Sequence, residues 1–275
     1  MKSIKNKLKR LKDYFLTKSM EVSAKEQGFN SLNAKLRNIV PNIEDQYSSF
    51  KIGGEYLNTK VRNMHAFQIS LIDKIIGEFE QPVIVDIGDS SGTHLQYLKG
   101  LYSHCKDIKT LSVNFDKEAI NRIKDKNLEA IQTRAEDLQQ YNIDADIFLC
   151  FEILEHLMNP CNFLHKLSSK TKAKYLVATV PYLQNSRVGL HHIRSGSESS
   201  VNSENTHIFE FSPQDWKTLF QFSGWRVVFD KIYRQYPAKH WLWITKYYWK
   251  KYDFPGFYGA VLIRDDKWSN LYTGW

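Results

Sequence analysis

Cysteine is scarce in this chain. Three occur in 275 residues, Cys105, Cys150 and Cys161, far apart and without CxxC spacing. That excludes a disulfide framework and a cysteine zinc module, and it suits a reducing, cytoplasmic setting. Long apolar runs are missing as well. No segment approaches the ~18 residues that read as a membrane span. The first residues lack the apolar stretch of a secretory signal. They are rich in Lys but poor in Arg, which argues against an organellar leader. Acidic residues are rare there: residues 1–20 hold six Lys and one Arg against one Asp. That stretch carries most of the net charge of +8. The remainder is close to neutral, so the basic character belongs to a tail. A protein built throughout to coat nucleic acid is not indicated.

With 42% apolar and 25% charged residues, the chain is an ordered globular protein able to bury a sizeable core. Ile4, Leu8, Leu11 and Phe15 recur at helical spacing among lysines. Two readings fit. The helix docks its apolar stripe on the protein body, or it lies as a basic amphipathic helix on an anionic membrane surface. Residues 41–56 read as a loop. The first 58 residues are therefore expected to form a basic helix with a linker or cap, and 59–275 the main domain. Helical periodicity marks 59–79, ended by Pro82.

From there strand and helix alternate. Strands are expected at 83–88, 110–115, 129–135, 146–151 and 174–182. Helices are expected at 93–102, 117–126 and 152–170. Such alternation predicts an α/β fold: a Rossmann-like, doubly wound, mostly parallel sheet with helices on both faces. A long polar segment, 183–211, interrupts it. Ser212, Pro213 and Gly224 then frame a helix as N-cap, first residue and terminator. Late strands at 225–233 and 257–265 without a crossover helix predict an antiparallel end to the sheet.

The turn in "VDIGDSSG" (85–92) is the expected ligand site, at the carboxyl end of the first strand. It lacks Gly-Lys-Ser/Thr, which excludes a P-loop, and it lacks G-x-G-x-x-G. In these residues the chain resembles class I S-adenosylmethionine-dependent methyltransferases. Asp86, Gly88 and Gly92 match that family's first motif, with Ser90 in place of the middle glycine. "FEILEHLMNP" (151–160) resembles the "EVLEH…P" signature of the ubiquinone-type and glycan- or small-molecule-directed O-methyltransferases. "THIFEFSPQDWKTLFQFSGWRVV" (206–228) resembles a later family segment, and together these matches cover about residues 60–265.

The resemblance implies S-adenosylmethionine as cofactor and a set of positions to hold it. Gly88 and Gly92 would admit the backbone close to the ligand, and Asp86 would organise the turn. Asn114 stands where the family usually has a ribose-binding carboxylate, with Asp116 two residues on. Ala135 and Glu136, or Asp137, would meet the adenine, with Arg134 at an often acidic position. Phe151 and Glu152 would lie by the sulfonium. A hydroxyl acceptor would call for a base, and His156 or His207 could supply it. His156 could equally be structural, bonding the neighbouring loop. His191 and His192 read as solvated loop residues.

On one helix Glu152 and His156 would share a face with Glu155 adjacent, a conceivable set of metal ligands. The reading kept is a charged helix start and no metal. The acceptor is expected to be a glycan, a lipid-linked sugar or a small metabolite. The 183–211 loop and an aromatic insertion at 234–256 would help to choose it. Six of the seven Trp lie from Trp225 onward. Those rings could pack a sheet edge, stack on sugars, anchor at a membrane interface or stack on single-stranded nucleic acid. A nucleic-acid partner is disfavoured by the missing Asp/Asn/Ser-Pro-Pro-aromatic motif. Residues 1–20 leave peripheral membrane contact open.

Overall fold

A computed structural model describes residues 2–47, 50–103, 107–141, 143–189 and 206–272. Its centre is a seven-stranded sheet in the spatial order β3-β2-β1-β4-β5-β9-β8. The strands are β1 (Val83–Ile87), β2 (Lys109–Asn114), β3 (Ala130–Gln132), β4 (Ile147–Phe151), β5 (Tyr175–Pro181), β8 (Trp225–Arg234) and β9 (Gly256–Arg264). A separate two-stranded piece pairs β6 (Arg187–Val188) with β7 (Phe209–Glu210). β1 to β5 run parallel, and β9 is antiparallel to both its neighbours. The fold is the expected Rossmann-like one.

The central strands read as continuous apolar runs because both faces are covered; β4 and β5 are buried at every position. On one face lies α3 (Gly54–Ile72), with α1 (Lys2–Glu26) and α2 (Asn30–Ile39) outside it. α3 is buried along most of its length because it is covered on both sides. It approaches β9 so closely that a Cβ at Gly259 would stand 2.5 Å from Leu71 Cδ1 and 2.6 Å from Phe67 Cζ. α4 (Thr93–Tyr102) and α5 (Lys117–Asp125) follow β1 and β2. The opposite face carries α6 (Pro160–Lys170) and α7 (Pro213–Phe222), packed around Trp216, Phe220 and Trp225. α8 (Lys246–Tyr252) and α9 (Asp266–Ser269) flank β9 in sequence.

Three expectations need correction. Residues 152–170 are not one helix. A 3-10 turn at Leu154–His156 is followed by extended Leu157, and α6 begins only at Pro160, capped by the Asn159 side chain. Proline lacks the N–H that a continuous helix would need, so the chain restarts there. The helix expected at 59–79 begins instead at Gly54 and ends at Ile72. The stripe Ile4, Leu8, Leu11 does not dock; these residues stay exposed. The face of α1 that packs begins further on, with Leu16, Ser19, Met20, Ser23 and Ala24.

Residues from the first 58 share the core of the main sheet: Ala24, Phe29, Leu36, Val40 and Ile43 belong to one buried cluster with Phe67, Ile84 and Leu95. Of the polar segment, 190–205 lie outside the described residues, His191 and His192 among them.

Candidate active site

The carboxyl ends of β1, β2 and β4 open into a cavity of about 820 Å³. That is large enough to take a whole small ligand. Asp86, Gly88, Ser90, Asn114, Ala135, Glu136, Phe151, Glu152, His156 and His207 all line it. Gly92 does not.

The β1 turn shows why glycine is needed at position 88. Gly88 has φ +87°, and a Cβ there would sit 2.7 Å from Ile153 Cδ1. A side chain would meet both strain and collision, so the backbone forms that part of the wall. Gly92 has φ +74° but faces elsewhere: its Cβ would strike Leu128 Cδ1 at 2.6 Å. Its glycine admits Leu128 and Ile123 against the start of α4, and it lies outside the cavity lining, a correction to the ligand contact expected of it. Ser90 Oγ donates to the Gln46 carbonyl (2.8 Å), and Ser91 Oγ bonds the Gln46 side chain (3.0 Å). The serine that replaces the middle glycine thereby ties the turn to the N-terminal segment. Asp89 braces the turn, its Oδ1 accepting from the N–H groups of Ser91 and Gly92.

Beneath the turn runs a buried polar chain. Asp86 Oδ2 lies 3.1 Å from His94 Nδ1, and His94 Nε2 lies 2.9 Å from Gln68 Oε1. Gln68 donates its other end to Thr179 Oγ1 at 3.1 Å. Both contacts are hydrogen bonds only if the ring is cationic and donates from both nitrogens, or if Asp86 is protonated and donates its O–H to Nδ1 while Nε2–H donates to Gln68. Burial, with Asp89 nearby, pushes the Asp86 carboxyl up to about 6 against the pull of His94. Burial lowers the His94 imidazolium, but Asp86 and Asp89 outweigh it and leave a net rise. One proton is held between the two.

Asn114 spends one N–H and one lone pair of its amide on the protein, leaving the second of each uncommitted. Its Nδ2 donates to the Asp89 carbonyl (3.0 Å), and its Oδ1 accepts from the Asp116 N–H (2.8 Å). It joins the β1 and β2 turns, and Asp116 itself caps α5 through the Glu118 N–H.

The other end of the cavity is the segment after β4. Glu152 holds φ +52°, a left-handed conformation that costs a non-glycine residue of order 1–3 kcal/mol. Burial pushes its carboxyl up to about 8, against a Thr179 hydrogen bond and Lys60, so it is mostly protonated at pH 7. Glu155 is buried, and neither carboxylate oxygen has a hydrogen-bond partner from another residue. Burial, and then the neighbouring Glu152, hold it well above the usual carboxylate range.

His156 donates from Nδ1 to the Thr206 carbonyl at 3.0 Å, since a carbonyl can only accept. Its Nε2 therefore carries the lone pair, 3.9 Å from Glu155 Oε1. Burial and His207 lower His156 to about 4, so the ring is neutral at pH 7. The rings of His156 and His207 meet edge to face at 4.7 Å. His207 Nδ1 bonds Glu210 Oε1 at 3.0 Å, and Arg187 pairs with the other oxygen of that buried carboxylate. Phe254 stacks on the far face of His207.

Donor atoms of Glu155, His156 and His207 all lie within 4.8 Å of one another. The single-helix grouping of Glu152, Glu155 and His156 does not form; the 3-10 turn and the segment leading into β7 build this one instead. Asp86, Asp89 and His94 gather in the same way beneath the first turn.

Composition patterns could not reach several of these residues. Gln46, Lys60, Asp253 and Phe254 reach the cavity from segments distant in sequence. Glu210 carried one local signal, standing three residues after His207.

A family model described as a methyltransferase domain matches residues 61–229. The chain belongs to that methyltransferase family. S-adenosylmethionine is its methyl donor. No curated protein matches this methyltransferase.

Solved structures match at low identity and show the fold alone. The 1,6-didemethyltoxoflavin-N1-methyltransferase of Burkholderia thailandensis, with S-adenosylhomocysteine bound, is 9% identical with a TM-score of 0.51, covering 74% of this chain and 79% of that one. A Listeria monocytogenes protein assigned as an S-adenosylmethionine-dependent methyltransferase is 10% identical with a TM-score of 0.52, covering 73% and 98%. The [4+2]-cyclase SpnF is 9% identical with a TM-score of 0.55, covering 89% and 97%. A cyclase on this architecture shows that fold does not choose the reaction; that choice lies in the site.

Proposed function

We propose that this methyltransferase moves the methyl group of S-adenosylmethionine to a hydroxyl of a glycan, lipid-linked sugar or small metabolite. The observation that carries the reading is the neutral His156, its Nδ1 committed to a carbonyl and its Nε2 free beside the cavity. The cofactor supplies an electrophilic methyl on a positive sulfonium. Around it, Gly88 and Asp86 would form the floor, and Ala135 and Glu136 the adenine end. Phe151 and Glu152 would border the sulfonium. A protonated Glu152 adds no fixed charge there.

With donor and acceptor bound, His156 Nε2 would take the hydroxyl proton as the oxygen–carbon bond forms and the sulfur–carbon bond breaks. His207, braced by Glu210, orients His156 edge to face and stands as the second proton acceptor. Orientation of this kind accounts for ~7–11 kcal/mol of a barrier in well-aligned systems. A tritiated methyl-donor assay over free sugars, glycolipids and phenolic metabolites tests the reading. Transfer to an O-methyl product that His156→Gln loses is the expected result. N-methyl products, or full activity in that variant, refute it.

A second reading rests on the two unpartnered oxygens of Glu155. Glu155, His156 and His207 would hold a divalent cation, and buried carboxylate with imidazole is a fitting donor set. Such an ion would lower the pKa of an acceptor hydroxyl. The two readings compete for Nε2 of His156. Thermal shift of chelator-treated protein with Mg²⁺, Mn²⁺ or Zn²⁺ separates them. A shift lost in Glu155→Gln favours the cation; no shift favours the free base. Non-catalytic binding on the same fold would show as cofactor affinity without any methyl product.

A further inference from the structure

The N-terminal half of α1 and the aromatic stretch 241–252 form one surface. Phe15 meets Trp241 ring to ring at 6.2 Å, and Ser19 bonds Thr245 at 2.7 Å. Lys12 lies 5.4 Å over Tyr248, and Lys246 lies 4.2 Å over Trp243. Beneath them, Leu16, Met20 and Trp249 are a buried anchor. Above that anchor the apolar groups face outward. Leu8 is 62% exposed, Leu11 53%, Trp241 62% and Tyr247 59%. Contiguous apolar exposure rimmed by charge marks an interaction surface.

We propose that this surface docks the protein on an anionic lipid bilayer. The charge selects the occupant. Residues 1–20 carry a balance of +6 from six Lys and one Arg against one Asp. A second copy seated symmetrically would set two such stretches against each other. Single-stranded nucleic acid would use the rings but has no use for Ile4, Leu8, Leu11 and Ile244, which are exposed aliphatic groups. Aliphatic side chains on one helix face, lysines beside them and Trp and Tyr at the margin match a surface that enters the headgroup and upper acyl region. Among the described residues no helix is long and apolar enough to cross a membrane, so the contact is peripheral.

The surface also adjoins the cavity. α8 runs from the exposed Tyr247 to Asp253 and Phe254, which line it. Lys60 pairs with Asp253 at 2.6 Å, and Phe254 stacks on His207. A docked bilayer would therefore lie next to the acceptor end.

Co-sedimentation of the full chain with vesicles tests this directly, without reference to methyl transfer. The probes are pure phosphatidylcholine and phosphatidylcholine with one third phosphatidylglycerol. Binding at least ~10-fold tighter to the anionic vesicles is expected, weakening as salt rises. Leu8→Ser with Leu11→Ser, and separately Trp241→Ala with Trp243→Ala, should each weaken it ~10-fold or more. All four side chains are exposed, so an unchanged melting temperature confirms that folding is intact. Three results would overturn the proposal. Wild type and variants sediment alike; light scattering shows a dimer that these variants break; or an oligothymidine binds tightly and still binds Leu8→Ser/Leu11→Ser.

Discussion

At the β1 end of the cavity a chain of buried polar groups is joined, Asp86 to His94, His94 to Gln68, Gln68 to Thr179, Asp89 to Ser91 and Gly92, while Nε2 of the adjacent His65 has no hydrogen-bond partner. At the β4 end Glu152 has one unpartnered oxygen and Glu155 has two. The chain at the first end is complete without a ligand and holds a shape ready for one. The second keeps desolvated acids that water or protein would normally satisfy, a cost of about 1–3 kcal/mol for each unmet group. A fold tolerates that where something arrives during function to meet it. On the proposed function, the β1 end would serve mainly to hold the cofactor and the β4 end to handle the acceptor proton.

The sharpest way to break this contrast is at Gly88. Gly88→Arg should reduce S-adenosylhomocysteine binding by calorimetry at least ~100-fold, because it combines positive φ with a blocked wall. Unchanged affinity would place the cofactor elsewhere.

Next comes His156. His156→Gln should lower kcat ~10²–10⁴-fold with little change in cofactor affinity, the range for a lost proton acceptor. A loss confined to cofactor binding would merge the two ends.

Glu155→Leu sharpens the contrast from the other side. It removes the unpartnered acid, so the ligand-free protein should gain ~1–3 kcal/mol in denaturant unfolding while turnover falls. A destabilised variant would mean that Glu155 already has a partner.

Stability against pH should show the same division. His156 titrates at about 4 folded against an ordinary 6.5. Its contribution is therefore complete above pH 6.5 and is lost as pH falls toward 4, worth ~3 kcal/mol. Glu152 titrates at about 8 against an ordinary 4.5, so its contribution is complete below pH 4.5 and is lost as pH rises through 8. Burial lowers His65 in the same direction as His156 and raises Glu155 in the same direction as Glu152. Unfolding measured from pH 4 to 9 should therefore lose part of its acid limb in His156→Gln and part of its alkaline limb in Glu152→Gln.

The smallest effect belongs to Ser90→Ala, which removes only the bond to Gln46. About 1 kcal/mol of stability and a few-fold of cofactor affinity are expected to go. A loss of the size seen at Gly88 would make Ser90 a direct ligand contact.

Much of the first end was legible in the sequence. Asp86, Gly88 and Ser90 lie within one short stretch of sequence, and a strand–turn–helix pattern fixes where such a turn must sit. Gly92 shows the limit: a positive φ is readable from its glycine, but what its Cα faces depends on Leu128, a neighbour 36 residues away. Asn114 was found, but not its use, because its partners come from two separate turns. The second end was read only in part. "EILEH" suggested a helix, and Pro160 broke it. Glu210 meets His207 from three residues away, but it meets Arg187 only because β6 pairs with β7. Gln46 and Phe254 gave no local sign, since what places them is tertiary packing.

β9 lies between β5 and β8 in space, yet it follows both in the chain. During synthesis β8 therefore leaves the ribosome with no strand to join, its alternating face open until Gly256–Arg264 arrives. The sheet is completed by its latest strand, inserted into a waiting gap rather than added at an edge. Any pause in translation before residue 256 would leave a nascent chain with two open borders, one on β5 and one on β8. Chaperone demand for this protein should be concentrated in that interval.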